Sequence, residues 1–104
     1  MQRTAFKMKL KPGFATEYKK RHDEIWPDLV KLLKEAGIND YSIFLDEETN
    51  SLFAVQKQKG DASSQALGDS AIVKRWWTFM GDIMETNPDS SPISTPLHEV
   101  FRLD

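Results

Sequence analysis

Cysteine is absent from the 104 residues of this chain. Disulfides, thiolate nucleophiles and cysteine-bound zinc are thereby excluded, and a reducing cytosol fits. Basic excess is missing too: fourteen Lys and Arg face sixteen Asp and Glu, a net charge of −2. No basic field exists to recruit phosphate backbones or anionic lipid, so nucleic acid is not expected as a partner. No segment approaches the roughly 20 apolar residues of a membrane span. Met1 to Leu10 alternates polar with apolar residues, unlike a signal peptide, and a cytoplasmic location is expected. The five glycines form no phosphate-cradling loop. Only two histidines occur, His22 and His98, and the consecutive His22, Asp23 and Glu24 would fan around a helix. No metal site is expected. Ser90-Ser91-Pro92 lacks the strand-to-helix setting of a hydrolase nucleophile.

What is present is a balance of 39% hydrophobic and 29% charged residues, that of a globular protein, at a length suited to one domain over residues 1–104. Thr4, Phe6, Met8 and Leu10 alternate with Ala5, Lys7 and Lys9, the period of a half-buried strand. Lys11-Pro12-Gly13 breaks it. Phe14, Tyr18, His22, Ile25, Leu29, Leu32, Leu33 and Ala36 then recur at steps of three and four, one face of a helix kinked at Pro27 or of two abutting helices, and Gly37 supplies the stop. Ile38–Asp46 and Leu52–Lys59 read as a hairpin. Gly60–Gly68 suggests at most a short helical turn. Asp69-Ser70 is expected to cap a second long helix bearing Ile72, Trp76, Phe79, Met80 and Ile83 on one stripe, with Val73, Trp77 and Met84 beside it. Asn87–Pro96 reads as a loop and Leu97–Leu103 as a last strand.

The order β-α-β-β-α-β predicts an α+β, ferredoxin-like fold: a four-stranded antiparallel sheet with the helices on one face. Ala5, Phe44, Phe53 and Val55 make the second face too apolar to leave in water, so a sheet-to-sheet homodimer of the dimeric α/β barrel type is expected.

His22 lies on the core-facing stripe, four residues after Tyr18. Taken alone, a histidine so placed is more often a hydrogen-bonded core residue than a catalytic one. Tyr18 shares its direction, and Tyr41 lies on the strand this helix covers, so three polar-tipped side chains converge on a prospective pocket. Trp76 and Trp77 differ by about 100° in azimuth, so one indole must lie toward the rim. They either fill the core and a dimer contact or form a flat wall for the C–H face of a sugar. His98 is expected on the last strand, exposed rather than catalytic.

Three segments, Tyr18 to Pro27 (YKKRHDEIWP), Arg75-Trp76-Trp77 and Asn87 to Pro92 (NPDSSP), resemble the L-rhamnose mutarotases nearly end to end. The resemblance implies a dimeric ferredoxin-like isomerase that interconverts the α and β anomers of L-rhamnose without a cofactor. It further implies His22 as proton donor, with Tyr18, Tyr41, Trp76 and Trp77 touching the sugar. Two other readings of the same fold are a non-catalytic dimeric module that binds a small ligand and a cofactor-independent monooxygenase, because a fold by itself does not choose a chemistry.

Overall fold

The alternation read from the first ten residues sets the inner layer of the computed structural model, which describes residues 2–60 and 63–103. β1 (Gln2–Lys9) turns Phe6 and Met8 inward, and Leu10 just beyond it is also buried. β2 (Asn39–Asp46) and β3 (Ser51–Gln58) form the expected hairpin. With β4 (Ser94–Leu97) they make one antiparallel sheet in the order β2-β3-β1-β4. Phe6 stands opposite Ala54, and Met8 opposite Leu52, so one apolar row crosses the central strands.

The stripe from Phe14 to Ala36 divides into two helices, α1 (Ala15–Asp23) and α2 (Pro27–Glu35). Trp26, preceding the proline, is extended at φ −63 and ψ 130, because the proline ring crowds the residue before it out of the helical region. Pro27 then opens α2 at the position where a missing N–H costs no hydrogen bond. Gly37 adopts φ +85 beyond the helix end, and Ile38 donates back to the Leu33 carbonyl.

A single turn of 3-10 helix spans Ser64–Ala66, whereas Asp61 and Ala62 of the ambiguous Gly60–Gly68 stretch lie outside the described residues. α3 (Ala71–Met80) begins at Ser70, but no side-chain hydrogen bond caps it, contrary to the expectation for Asp69-Ser70. It is also shorter than its apolar stripe suggested. Gly81 ends it, and both Ile83, in the turn that follows, and Met84, which bridges Leu10, are buried. Val73, Trp76 and Met80 form the buried side of α3, while Phe79 is largely exposed.

The final strand is displaced from the expected Leu97–Leu103. It occupies Ser94–Leu97, mostly inside the stretch read as loop and sharing only Leu97 with the expected strand, and includes Pro96. An edge strand accommodates that proline, because β4 pairs only with β1 and has an open side that needs no donor. Residues 98–103, His98 among them, follow it exposed and outside any strand.

Candidate active site

Between α1, α2 and the inner sheet face lies a cleft of about 1230 Å³ whose lining includes Tyr18, His22, Tyr41, Ser64, Trp76 and Trp77. A smaller pocket of about 50 Å³ shares Tyr18, His22, Tyr41, Trp76 and Trp77 with it and adds Thr86, Ser90 and Pro92. The five side chains singled out by sequence therefore come together, from two helices and one strand.

Helical spacing brings Tyr18 and His22 into contact. Their rings stack with centroids 4.3 Å apart, and His22 Nδ1 lies 3.1 Å from the Tyr18 carbonyl oxygen. A carbonyl only accepts, so Nδ1 carries the hydrogen and donates it. The neutral ring then holds its lone pair on Nε2, the nitrogen through which a proton is gained or released. Trp76 meets the imidazole edge to face at 5.4 Å and is itself met by Trp26 at 5.1 Å. His22 is thus held between a phenol and an indole. Burial lowers its pKa from the ordinary value, an effect partly opposed by the Tyr18 carbonyl and by nearby Asp23.

Tyr41 reaches the cleft through a local irregularity of β2. Asn39 pairs with Lys57 and Ser42 with Val55, so Asp40 and Tyr41 together stand opposite the single residue Gln56. Asp40 takes φ +48 at this bulge, and its carboxylate lies 3.4 Å from Lys57 Nζ. A bulge re-aims the side chains beside it, and here Tyr41 joins Ile43 and Leu45 on the helix-facing side. Burial raises the pKa of Tyr41, and the nearby Ser64 side chain opposes part of that rise. Tyr18 is raised by burial as well, with proximity to Tyr41 adding to it. Both phenols stay protonated at neutral pH.

Trp76 is buried and Trp77 partly so, which makes Trp77 the rim indole. Gly68 lets it sit there: a Cβ on Gly68 would fall 3.0 Å from the Trp77 ring. Sequence reasoning passed over Gln65 and Thr86 as lining residues, and Ser90 and Pro92 appeared only within the Asn87–Pro92 segment. That segment is tightly tied. Asn87 N–H donates to the Ser91 carbonyl at 2.8 Å, Ser91 Oγ donates to Asp89 at 2.5 Å, and Ser90 takes φ +73 at the tip. Its run of prolines and small polar residues signalled a loop, and only the tertiary fold brings that loop to the cleft. Arg21 fixes the outer side of α1. It donates to Glu17 at 2.7 Å, to Asp82 at 2.8 Å and to the Phe79 carbonyl at 2.8 Å, with its guanidinium 4.4 Å from the centre of the Phe79 ring. Among the described residues, no group of three His, Cys, Asp or Glu is placed to hold a metal ion.

Fold and cleft together define a small ferredoxin-like α+β protein with an aromatic, histidine-bearing pocket between sheet and helices, the arrangement of a small-molecule binding or acid–base site. Comparison narrows this class. Residues 3–103 match the family described as L-rhamnose mutarotase, and the chain belongs to that family. It is 59% identical over 104 residues to the L-rhamnose mutarotase of Phocaeicola vulgatus and 59% identical to that of Bacteroides thetaiotaomicron, each match covering 100% of both chains. The crystal structure of an L-rhamnose mutarotase from Formosa agariphila superposes with a TM-score of 0.93 at 56% identity, again over 100% of both chains.

Proposed function

We propose that this chain interconverts the α and β anomers of L-rhamnose, with His22 as the residue that exchanges a proton with the sugar. The observation carrying this reading is the geometry of His22: Nδ1 is committed to the Tyr18 carbonyl and the ring stands in the wall of an aromatic cleft. In the imidazolium form Nε2–H donates to the ring oxygen as the bond from that oxygen to C1 breaks, while the anomeric hydroxyl gives its proton to water. An open aldehyde results. Rotation about C1–C2 and reclosure form the other anomer, the ring hydroxyl returning its proton to Nε2 and the proton held by water returning to the new anomeric oxygen. No oxidation state changes.

Burial makes the imidazolium a stronger acid in the fraction of molecules that carry it. Tyr18 and Tyr41 donate to sugar hydroxyls, and Trp76 and Trp77 supply an apolar wall for the ring C–H face and the methyl group of a 6-deoxy sugar.

The working unit in this reading is one domain per chain, paired sheet to sheet in the cytoplasm. Support comes from the outer sheet face, where Ala5, Val55 and Leu97 form one row and Phe53 and Phe44 lie in the next. Phe44 is 62% exposed, and Val100, Phe101 and Leu103 beyond β4 are exposed as well. Exposed apolar side chains gathered on one sheet face mark an interaction surface. No helix of the described residues is long and apolar enough to cross a membrane. NMR saturation transfer between the two anomeric protons of L-rhamnose tests the activity: exchange accelerates with the protein present, and a rate equal to that in buffer contradicts the reading.

A further inference from the structure

Gln65 lines both cavities of the candidate site, the wide cleft and the small pocket, each shared with Tyr18, His22, Tyr41, Trp76 and Trp77. Its backbone N–H donates to Ser63 Oγ at 3.2 Å, while among the described residues its carboxamide has no hydrogen-bond partner. The turn that carries it is fixed to the sheet. Gln56 is fully buried in β3, where a sheet interior normally holds an apolar residue. Its Oε1 accepts from the Ser64 backbone N–H at 2.7 Å, and its Nε2 donates to Ser64 Oγ at 2.9 Å. Ser64 is buried too, so an apolar residue at position 56 would leave its N–H unpaired away from water. Ala66 N–H donates to the Ser63 carbonyl at 3.0 Å and Leu67 N–H to the Ser64 carbonyl at 3.2 Å. Every backbone N–H from Ser64 to Leu67 thus has a partner, and a single turn too short to hold itself is pinned beside the cleft.

Resting on the mutarotase reading above, we propose that Gln65 is a further substrate-contacting residue, its carboxamide held by the Gln56–Ser64 pair to read a vicinal diol of the sugar. A carboxamide offers an acceptor and a donor side by side, and each sugar hydroxyl both donates and accepts. Oε1 takes a hydrogen from one hydroxyl while Nε2 gives one to its neighbour. L-Rhamnose carries hydroxyls on C2, C3 and C4 besides the anomeric one, which changes configuration in the reaction and offers no fixed contact. Both remaining vicinal pairs include C3. The C3 hydroxyl is therefore the one Gln65 reads in either pairing, diagonally across the ring from the oxygen at which His22 acts. Held there, the sugar stays in place while C1 turns about the C1–C2 bond.

Gln65→Met, unbranched and of similar length, removes the amide and keeps the packing. It raises KM for L-rhamnose by about thirtyfold, the worth of two ordinary hydrogen bonds, with kcat unchanged. A cycle between residue and hydroxyl separates contact from structural support. On the analogue of L-rhamnose lacking the C3 hydroxyl the penalty falls to about fivefold, one hydrogen bond. A penalty of the same size with and without that hydroxyl, or a fall in kcat at constant KM, overturns the inference. Gln56→Leu raises KM in the same direction and adds nothing to Gln65→Met; full additivity in folded proteins overturns the positioning by Gln56. Binding of L-rhamnose followed by tryptophan fluorescence distinguishes the two levels of the reading. A wild type that binds more tightly than Gln65→Met yet exchanges no anomers overturns the mutarotase reading and leaves Gln65 in place, whereas equal affinities of the two folded proteins overturn the inference.

Discussion

Replacing Trp76 by alanine is expected to remove a large part of the stability of this chain, and replacing Phe79 a smaller part. By sequence both residues belong to one stripe of α3; in the structure they differ. Trp76 is 8% exposed and packs against His22, Trp26 and Phe79 at 5.4, 5.1 and 5.7 Å between ring centres. Phe79 is 42% exposed. Truncating a buried aromatic to alanine costs about 3–5 kcal/mol, the lost transfer energy plus the cavity left behind. Scaling by burial puts Phe79→Ala at about 2–3 kcal/mol. Against a total stability of about 5–15 kcal/mol, the first change consumes about a fifth or more, and Tm falls by about 4 °C or more for each kcal/mol lost. Urea denaturation followed by far-ultraviolet circular dichroism measures both variants without depending on the indole that is removed. Equal losses for Trp76→Ala and Phe79→Ala would refute the assignment of Trp76 as the pivot between helices and site.

Arg21→Ala costs about 1 kcal/mol, a modest figure because Asp82 is 66% exposed and its ion pair is screened; Arg21→Lys fails to restore it, since one ammonium cannot span Glu17, Asp82 and the Phe79 carbonyl. The lowered pKa of His22 makes stability pH-dependent with a definite sign. Between that value and the ordinary one near about 6.5, the unfolded chain binds a proton that the folded chain does not, so stability rises with pH across this window and levels off above it. Urea midpoints for the wild type and His22→Asn give the slope, which the substitution flattens; a wild-type midpoint that falls with rising pH contradicts it. Anomer exchange runs the other way, declining as pH rises through the His22 pKa, because the donor is the imidazolium; a rate that climbs over that interval assigns His22 the opposite role. Phe44→Glu places a charge on the apolar outer face at edge strand β2, and sedimentation of the wild type as a dimer and of the variant as a monomer is expected.

Much of this architecture is legible in the sequence because burial is one-sided. Phe6, Met8 and Leu10 recur every second residue against a sheet with one covered face, and Tyr18 and His22 are one helical turn apart whatever surrounds them. Parts that depend on distant partners are not legible. Gln56 and Gln58 alternate along β3 as solvent-facing residues would, yet both are buried, and only the placement of Ser64 explains Gln56. β4 was hidden by Pro96, which local rules assign to a loop and which an edge strand tolerates. Of the expected strand Leu97–Leu103 only Leu97 is paired, as the last residue of β4, and residues 98–103 are outside any strand. The continuity of the α3 stripe through Ile83 and Met84 misled for a related reason: both are buried, but by the sheet-side bridge of Met84 to Leu10 rather than as a further helical turn. Tyr41 was placed on the correct face by alternation, although the bulge at Asp40 that aims it leaves no mark in the local sequence.

Saturation-transfer exchange of L-rhamnose anomers, compared between the wild-type chain and a His22→Ala variant whose far-ultraviolet spectrum is native, tests the central claim most directly. Removing a positioned proton donor should lower the protein-dependent exchange by about 10² to 10⁴. Exchange that persists undiminished without the imidazole would contradict it.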